Sequence, residues 1–195
     1  MPLLSLTDFV DIVSKSGTPK ITKIRQIKVR PDYNPALDYY KLLRNRLIET
    51  HEKNLGKSYL KNLLQYITDQ RKLHNYEPLI EEYCRWWGRT KYDWFNPPSG
   101  KWTHGSVQVT INPELGLIKD GKKLLIKLYF KSDKLSKNKV SVILYLMKNV
   151  LVQENSSDMN VGIHDIRHGK MYTSPIKEEG LDAMLKGEAA YIETV

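Results

Sequence analysis

Apolar positions in this chain follow two rhythms, helical over the first ninety residues and alternating over much of the rest. Ser5-Leu-Thr-Asp8 has a hydroxyl followed three residues later by an acid, the form of a capping box. It predicts a short helix over Leu6–Lys15, closed by Gly17 in a left-handed cap. Between Pro19 and Pro31, Ile21, Ile24, Ile27 and Val29 fit neither period cleanly. Their β-branched character predicts a strand over Ile21–Arg30. Asn34-Pro35 then offers a cap and a first helical residue, predicting a helix from Pro35 to about Asn54. Leu37, Tyr40, Leu43, Leu47 and Ile48 form its apolar face. A second helix is expected from Ser58, through Leu60, Leu63, Leu64 and Ile67, and a third from Pro78 to Gly88. The third turns Leu79, Ile80, Tyr83 and Trp87 inward. Three such helices with short connections form a small bundle.

From Lys91 the pattern changes. Asn96-Pro-Pro-Ser-Gly100 is a turn cluster, and Val107, Val109 and Ile111 alternate with polar residues as in a half-buried strand. Lys119-Asp-Gly121 between two apolar runs predicts a hairpin. In its second arm Leu124, Ile126, Leu128 and Phe130 share one face. A long helix follows over Leu135–Val152, then a loop at Asn155–Asp158 and a second hairpin through Val161–Thr173, turning at His168-Gly169. A last helix begins near Pro175. The expected class is therefore α+β. A helical bundle precedes an antiparallel, hairpin-built sheet in the order ββ(β)-α-ββ-α, with helices on one face. Residues 1–90 form the helical portion and 91–195 the α+β portion of one compact unit.

Composition narrows the class further. Charged residues at 27% and apolar residues at 41% are ordinary globular values. The longest apolar runs, such as Val142–Met147, fall far short of the roughly 20 residues of a spanning helix. The N-terminus lacks a basic leader and gains Asp8 and Asp11 early, unlike a signal peptide. Cys84 is the single cysteine, so no intrachain disulfide can form, and it reads as a small buried hydrophobe. The expectation is a cytoplasmic protein without membrane association.

Charge adds a partner class. The net charge is +9, and residues 101–150 carry ten Lys/Arg against three Asp/Glu. Such an excess favours polyanions, because phosphate contacts release counterions; Lys-rich solubility is the ordinary alternative. All four tryptophans, Trp86, Trp87, Trp94 and Trp102, fall just before or at the start of that basic stretch, interleaved with Arg85, Arg89, Lys91 and Lys101. Cations beside flat rings suit backbone phosphates and stacked bases respectively. The expected binding residues are Arg85, Trp86, Arg89, Trp94, Trp102, Lys122, Lys123, Lys127 and Lys131. Neighbours on a helix point about 100° apart, so Trp87 is expected in the core and Trp86 nearer the surface.

His164-Asp165-Ile166-Arg167-His168 is the other polar cluster. On a strand His164 and His168 would share a face, where they could move protons or bind a metal given a third ligand. His164, Asp165 and His168 are the catalytic candidates, although histidines beside a hairpin turn are commonly idle. A metal-dependent nuclease needs an acid–x–Lys on the strand beside another acid. Hydrophobic residues stand there instead, before Lys127 and Lys131, and Glu114 and Asp120 alone do not make a site. No phosphate loop, dinucleotide fingerprint or paired CxxC is present. The sequence thus implies no metal or cofactor and favours a binding module over an enzyme. It leaves three functions in order: a basic nucleic-acid-contacting module, then a protein-interaction or self-assembling, homo-oligomeric protein, and last a metal-dependent hydrolase or nuclease using the His-Asp cluster.

Overall fold

The computed structural model describes residues 3–31, 34–152, 158–173 and 179–195. Strand β1 (Leu4–Ser5) leads into α1 (Leu6–Val13), whose first turn is capped by Ser5 accepting from the Asp8 N–H at 3.1 Å. The strand expected over Ile21–Arg30 is instead helix α2 (Gly17–Lys28). Ile24 and Ile27 lie three apart and both are buried, so the helical period outweighed the β-branched composition. Gly17 has φ +58°, but it opens α2 rather than closing α1.

Asn34 caps only a 3₁₀ turn, Pro35–Leu37, and the main helix α3 (Lys41–Glu52) starts afresh after it. Helix α4 (Gly56–Asn62) follows. The next helix, α5 (Gln70–Trp87), begins eight residues before Pro78, with Asp69 accepting from the Arg71 and Lys72 N–H groups. Pro78 therefore sits inside α5 rather than opening it. His74, whose carbonyl loses its donor there, is exposed and can meet water.

The strands that follow are β2 (Asp93–Trp94), β3 (Gly100–His104), β4 (Val107–Ile111), β5 (Leu115–Lys119) and β6 (Lys122–Tyr129). Helix α6 (Lys137–Leu151), β7 (Met159–Asp165), a 3₁₀ turn at Ile166–His168, β8 (Lys170–Thr173) and α7 (Leu181–Thr194) complete the order. The Asp120-Gly121 turn joins β5 to β6 with φ values of 50° and 77°, the left-handed pair that a two-residue hairpin requires. The expected loop residues 155–157 and the expected helix start at Pro175 lie outside the described residues.

The class is α+β, with strands in two sheets, β1-β4-β3 and β2-β5-β6-β7-β8. Neither sheet is purely antiparallel. Strand β7 runs parallel to β6, because α6 carries the chain back between them, and β1 runs parallel to β4. Helices cover both faces of the five-stranded sheet rather than one. On one face Leu125, Tyr129, Val161 and Ile163 meet residues of α1, α2, α6 and α7, with the three-stranded sheet beyond. On the other, Leu115, Leu117, Ile126 and Leu128 meet α3, α4 and α5. Helix α6 contacts both sheets, and Val142–Met147 are buried without interruption. A helix apolar on every side is one enclosed on every side. The first ninety residues thus divide between the two cores, α1 and α2 in one and α3–α5 in the other.

Candidate functional site: a basic, aromatic sheet edge

Strand β2 is one edge of the five-stranded sheet and pairs with β5, setting Asp93 opposite Ile118 and Trp94 opposite Leu117. That pairing brings the aromatic segment alongside the basic β5–β6 hairpin. The Phe95 N–H continues the ladder to the Gly116 carbonyl at 3.0 Å. Gly116 permits this closeness, since a Cβ there would collide with the Phe95 carbonyl oxygen and press on its ring. The Lys123 ammonium lies 5.6 Å from the centre of the Phe95 ring, a cation–π distance. Lys119, Lys122 and Lys123 are exposed at the hairpin tip, and Arg89 and Lys91 are exposed in the segment entering β2. Lys119, Lys122, Arg89 and Lys91 form no ion pair among the described residues. Trp94 and Phe95 are half-buried, their inner edges packed on opposite cores.

Behind this edge the aromatic segment folds onto α5. Trp86 stacks on Tyr92 with centroids 5.8 Å apart and planes 11° apart, and it also meets the His164 ring at 4.4 Å and the Tyr83 ring at 5.3 Å. Trp87 packs on His51 at 4.4 Å and donates from Nε1 to the Thr90 carbonyl at 2.9 Å. Both tryptophans are half-buried in the same core, so the expected division into one core and one surface ring does not occur. Each keeps its indole edge near the α5 C-terminus, where the helix gives way to Gly88.

Four expected binding residues are engaged elsewhere. Trp102 packs on Phe9 at 5.4 Å in the other core, because β3 belongs to the three-stranded sheet. Lys127 has a side chain only 12% exposed and donates to Glu114 at 2.6 Å and to the Asn112 carbonyl at 2.9 Å. The other Glu114 oxygen accepts from the Leu128 N–H at 2.7 Å, making a closed, internal pair. Lys131 is 2.5 Å from Asp11, at the opposite end of β6 from the hairpin tip. Arg85 is exposed and pairs with Glu82 on its own helix.

The histidine cluster is divided by the end of β7. His164 is fully buried beneath Tyr83 and Trp86, and neither ring nitrogen finds a partner among the described residues. Burial lowers its pKa to about 3. His168 lies past the strand, in the 3₁₀ turn, and Nδ1 is 2.8 Å from the buried Asp165 carboxylate, which also accepts the His168 N–H at 3.3 Å. Asp165 and His168 thus meet, whereas His164 faces the other side of the sheet. Arg167 reaches into the helical layer, donating to Asn75 at 2.8 Å and to the Tyr40 hydroxyl at 3.2 Å. No group of three or more His, Cys, Asp or Glu among the described residues could hold a metal ion. No helix among them is long and apolar enough to cross a membrane.

No family model matches this chain, and no curated protein matches it. Among solved structures the chain is similar to a crystal structure of a "Putative exonuclease" from Eubacterium rectale, with 11% sequence identity and a TM-score of 0.39. The match covers 98% of this chain and 77% of that one.

Proposed function

We propose that this chain is a basic nucleic-acid-contacting module whose partner is a single strand. The observation that supports it most is the β2–β5 pairing, which sets Trp94 and Phe95 beside the exposed Lys119, Lys122 and Lys123. Arg89 and Lys91 extend the same charge along the entering segment. Two half-exposed rings, one on each face of the sheet edge and flanked by exposed cations, supply the two elements a single strand needs, ring faces for stacking and phosphate counter-charges. A duplex hides its base faces, so the rings favour the single strand.

A protein partner is the second reading. Leu37 and Tyr66 are 80% and 73% exposed, in the 3₁₀ turns flanking α3 and α4. Strand addition at β2 is disfavoured, because the strand has two residues and Pro97-Pro98 follows it closely. Light scattering separates the readings: a concentration-dependent dimer supports self-assembly, and a strict monomer argues against it.

Fluorescence anisotropy with labelled single-stranded and duplex oligonucleotides tests the first reading. The expected result is tighter binding of the single strand, lost in a Lys122→Glu/Lys123→Glu double variant. Equal or stronger duplex binding, or a double variant that binds as the parent does, overturns it.

A further inference from the structure

At the far end of β6 from the hairpin, a polar cleft of about 410 Å³ opens between α1, α2 and the start of α6. Its volume falls within the roughly 300–1,000 Å³ of small-molecule sites. Four lysines and two aspartates line it: Lys15, Lys23, Lys131, Lys139, Asp11 and Asp133. The aspartates fix two of the lysines. Asp11 accepts from Lys131 at 2.5 Å and from Lys139 at 3.4 Å, and Asp133 accepts from Lys139 at 2.9 Å. Lys15 and Lys23 have no ion-pair partner among the described residues. The Asp8 carboxylate near Lys23 is taken by Arg30, at 2.8 and 3.0 Å. The cleft therefore carries two more ammonium groups than carboxylates.

We propose that this cleft binds the phosphate dianion of a small phosphomonoester. A phosphomonoester carries about −1.5 to −2 charge at neutral pH with three strong acceptor oxygens, which matches the excess of two cations. Lys131 and Lys139, already held by Asp11, provide fixed donors, and Lys15, just past α1, and Lys23 of α2 close on the anion. The Gln26 side chain at the rim adds an uncharged donor. The site is independent of the strand-binding edge, since it shares no residue with it.

Calorimetric titration at about 50 mM salt, where exposed charges are least screened, provides the test. Probes are inorganic phosphate, a nucleoside 5′-monophosphate, glycerol 3-phosphate and the unphosphorylated nucleoside. The phosphorylated probes are expected to bind with dissociation constants at or below about 1 mM, and the nucleoside not at all. Lys23→Glu and, separately, Lys15→Gln should weaken binding at least tenfold. Binding of the nucleoside equal to that of its phosphate, unchanged binding in Lys23→Glu and Lys15→Gln, or no heat from any phosphorylated probe overturns the proposal.

Discussion

His51 Nε2 and the Tyr83 hydroxyl lie 2.6 Å apart inside the core between α3 and α5, sharing a hydrogen bond that water does not reach. Burial lowers the His51 pKa to about 4, so the ring stays neutral where an unfolded histidine, at about 6.5, would take a proton. His164, lowered by burial to about 3, behaves alike. A depressed histidine pKa gives the unfolded chain the greater proton uptake, so stability falls as pH drops below about 6.5. Between pH 7 and 5 each ring should cost about 2 kcal/mol, at 1.36 kcal/mol per pH unit. Urea denaturation at the two pH values measures this; an equal midpoint at pH 7 and 5 contradicts it.

His164 differs from His51 in lacking a partner. A buried polar group without a hydrogen bond costs about 1–3 kcal/mol, and its tilted packing against Trp86 and Tyr83 returns about 0.5–1.5. His164→Leu is therefore expected to stabilise the fold by about 1 kcal/mol and to flatten the pH dependence. A lower melting temperature in this variant would show that the ring is hydrogen-bonded in solution.

Lys127 and Glu114 form a pair with side chains 12% and 11% exposed. Removing the lysine alone leaves a mostly buried carboxylate with only the Leu128 N–H. Lys127→Met should cost about 2–4 kcal/mol, somewhat less than for a fully enclosed pair, without changing oligonucleotide affinity measured below the melting range. Lost affinity in a folded Lys127→Met protein would return this residue to the binding surface.

Gly116 tests the attachment of β2. Alanine there meets the Phe95 backbone oxygen, which cannot move without breaking the ladder. Overpacking of this kind costs about 1–3 kcal/mol. Gly116→Ala should lower the melting temperature and weaken single-strand binding together, because β2 carries the rings. Loss of stability with full binding would detach the site from this edge.

What the sequence reveals here depends on how local the deciding interaction is. Ser5–Asp8 and Asp120-Gly121 specify their structures within a few residues, and both formed as their patterns imply. Helix α2 and the early start of α5 were decided by burial of Ile24 and Ile27 and by the Asp69 cap, which local composition obscured. The strand–helix–strand succession β6-α6-β7 does carry a parallel signal, but the Asp-Gly hairpin before it directs attention to antiparallel pairing. Candidate site residues were legible by type and not by place. Lys122 and Lys127 look alike in sequence, yet one lies at an exposed tip and the other closes on Glu114. The Lys15–Lys139 cleft gathers residues more than a hundred positions apart, which no local pattern reports.

The salt dependence of single-strand binding tests the central claim most directly. Arg89, Lys91, Lys119, Lys122 and Lys123 offer up to five phosphate contacts. At a slope of about −0.7 per contact, log affinity against log salt should fall with a slope of about −2 to −3.5. Lys122→Gln/Lys123→Gln should make it shallower by about 1.4. No measurable binding at about 50 mM salt, or a slope that the double substitution leaves unchanged, would contradict the account.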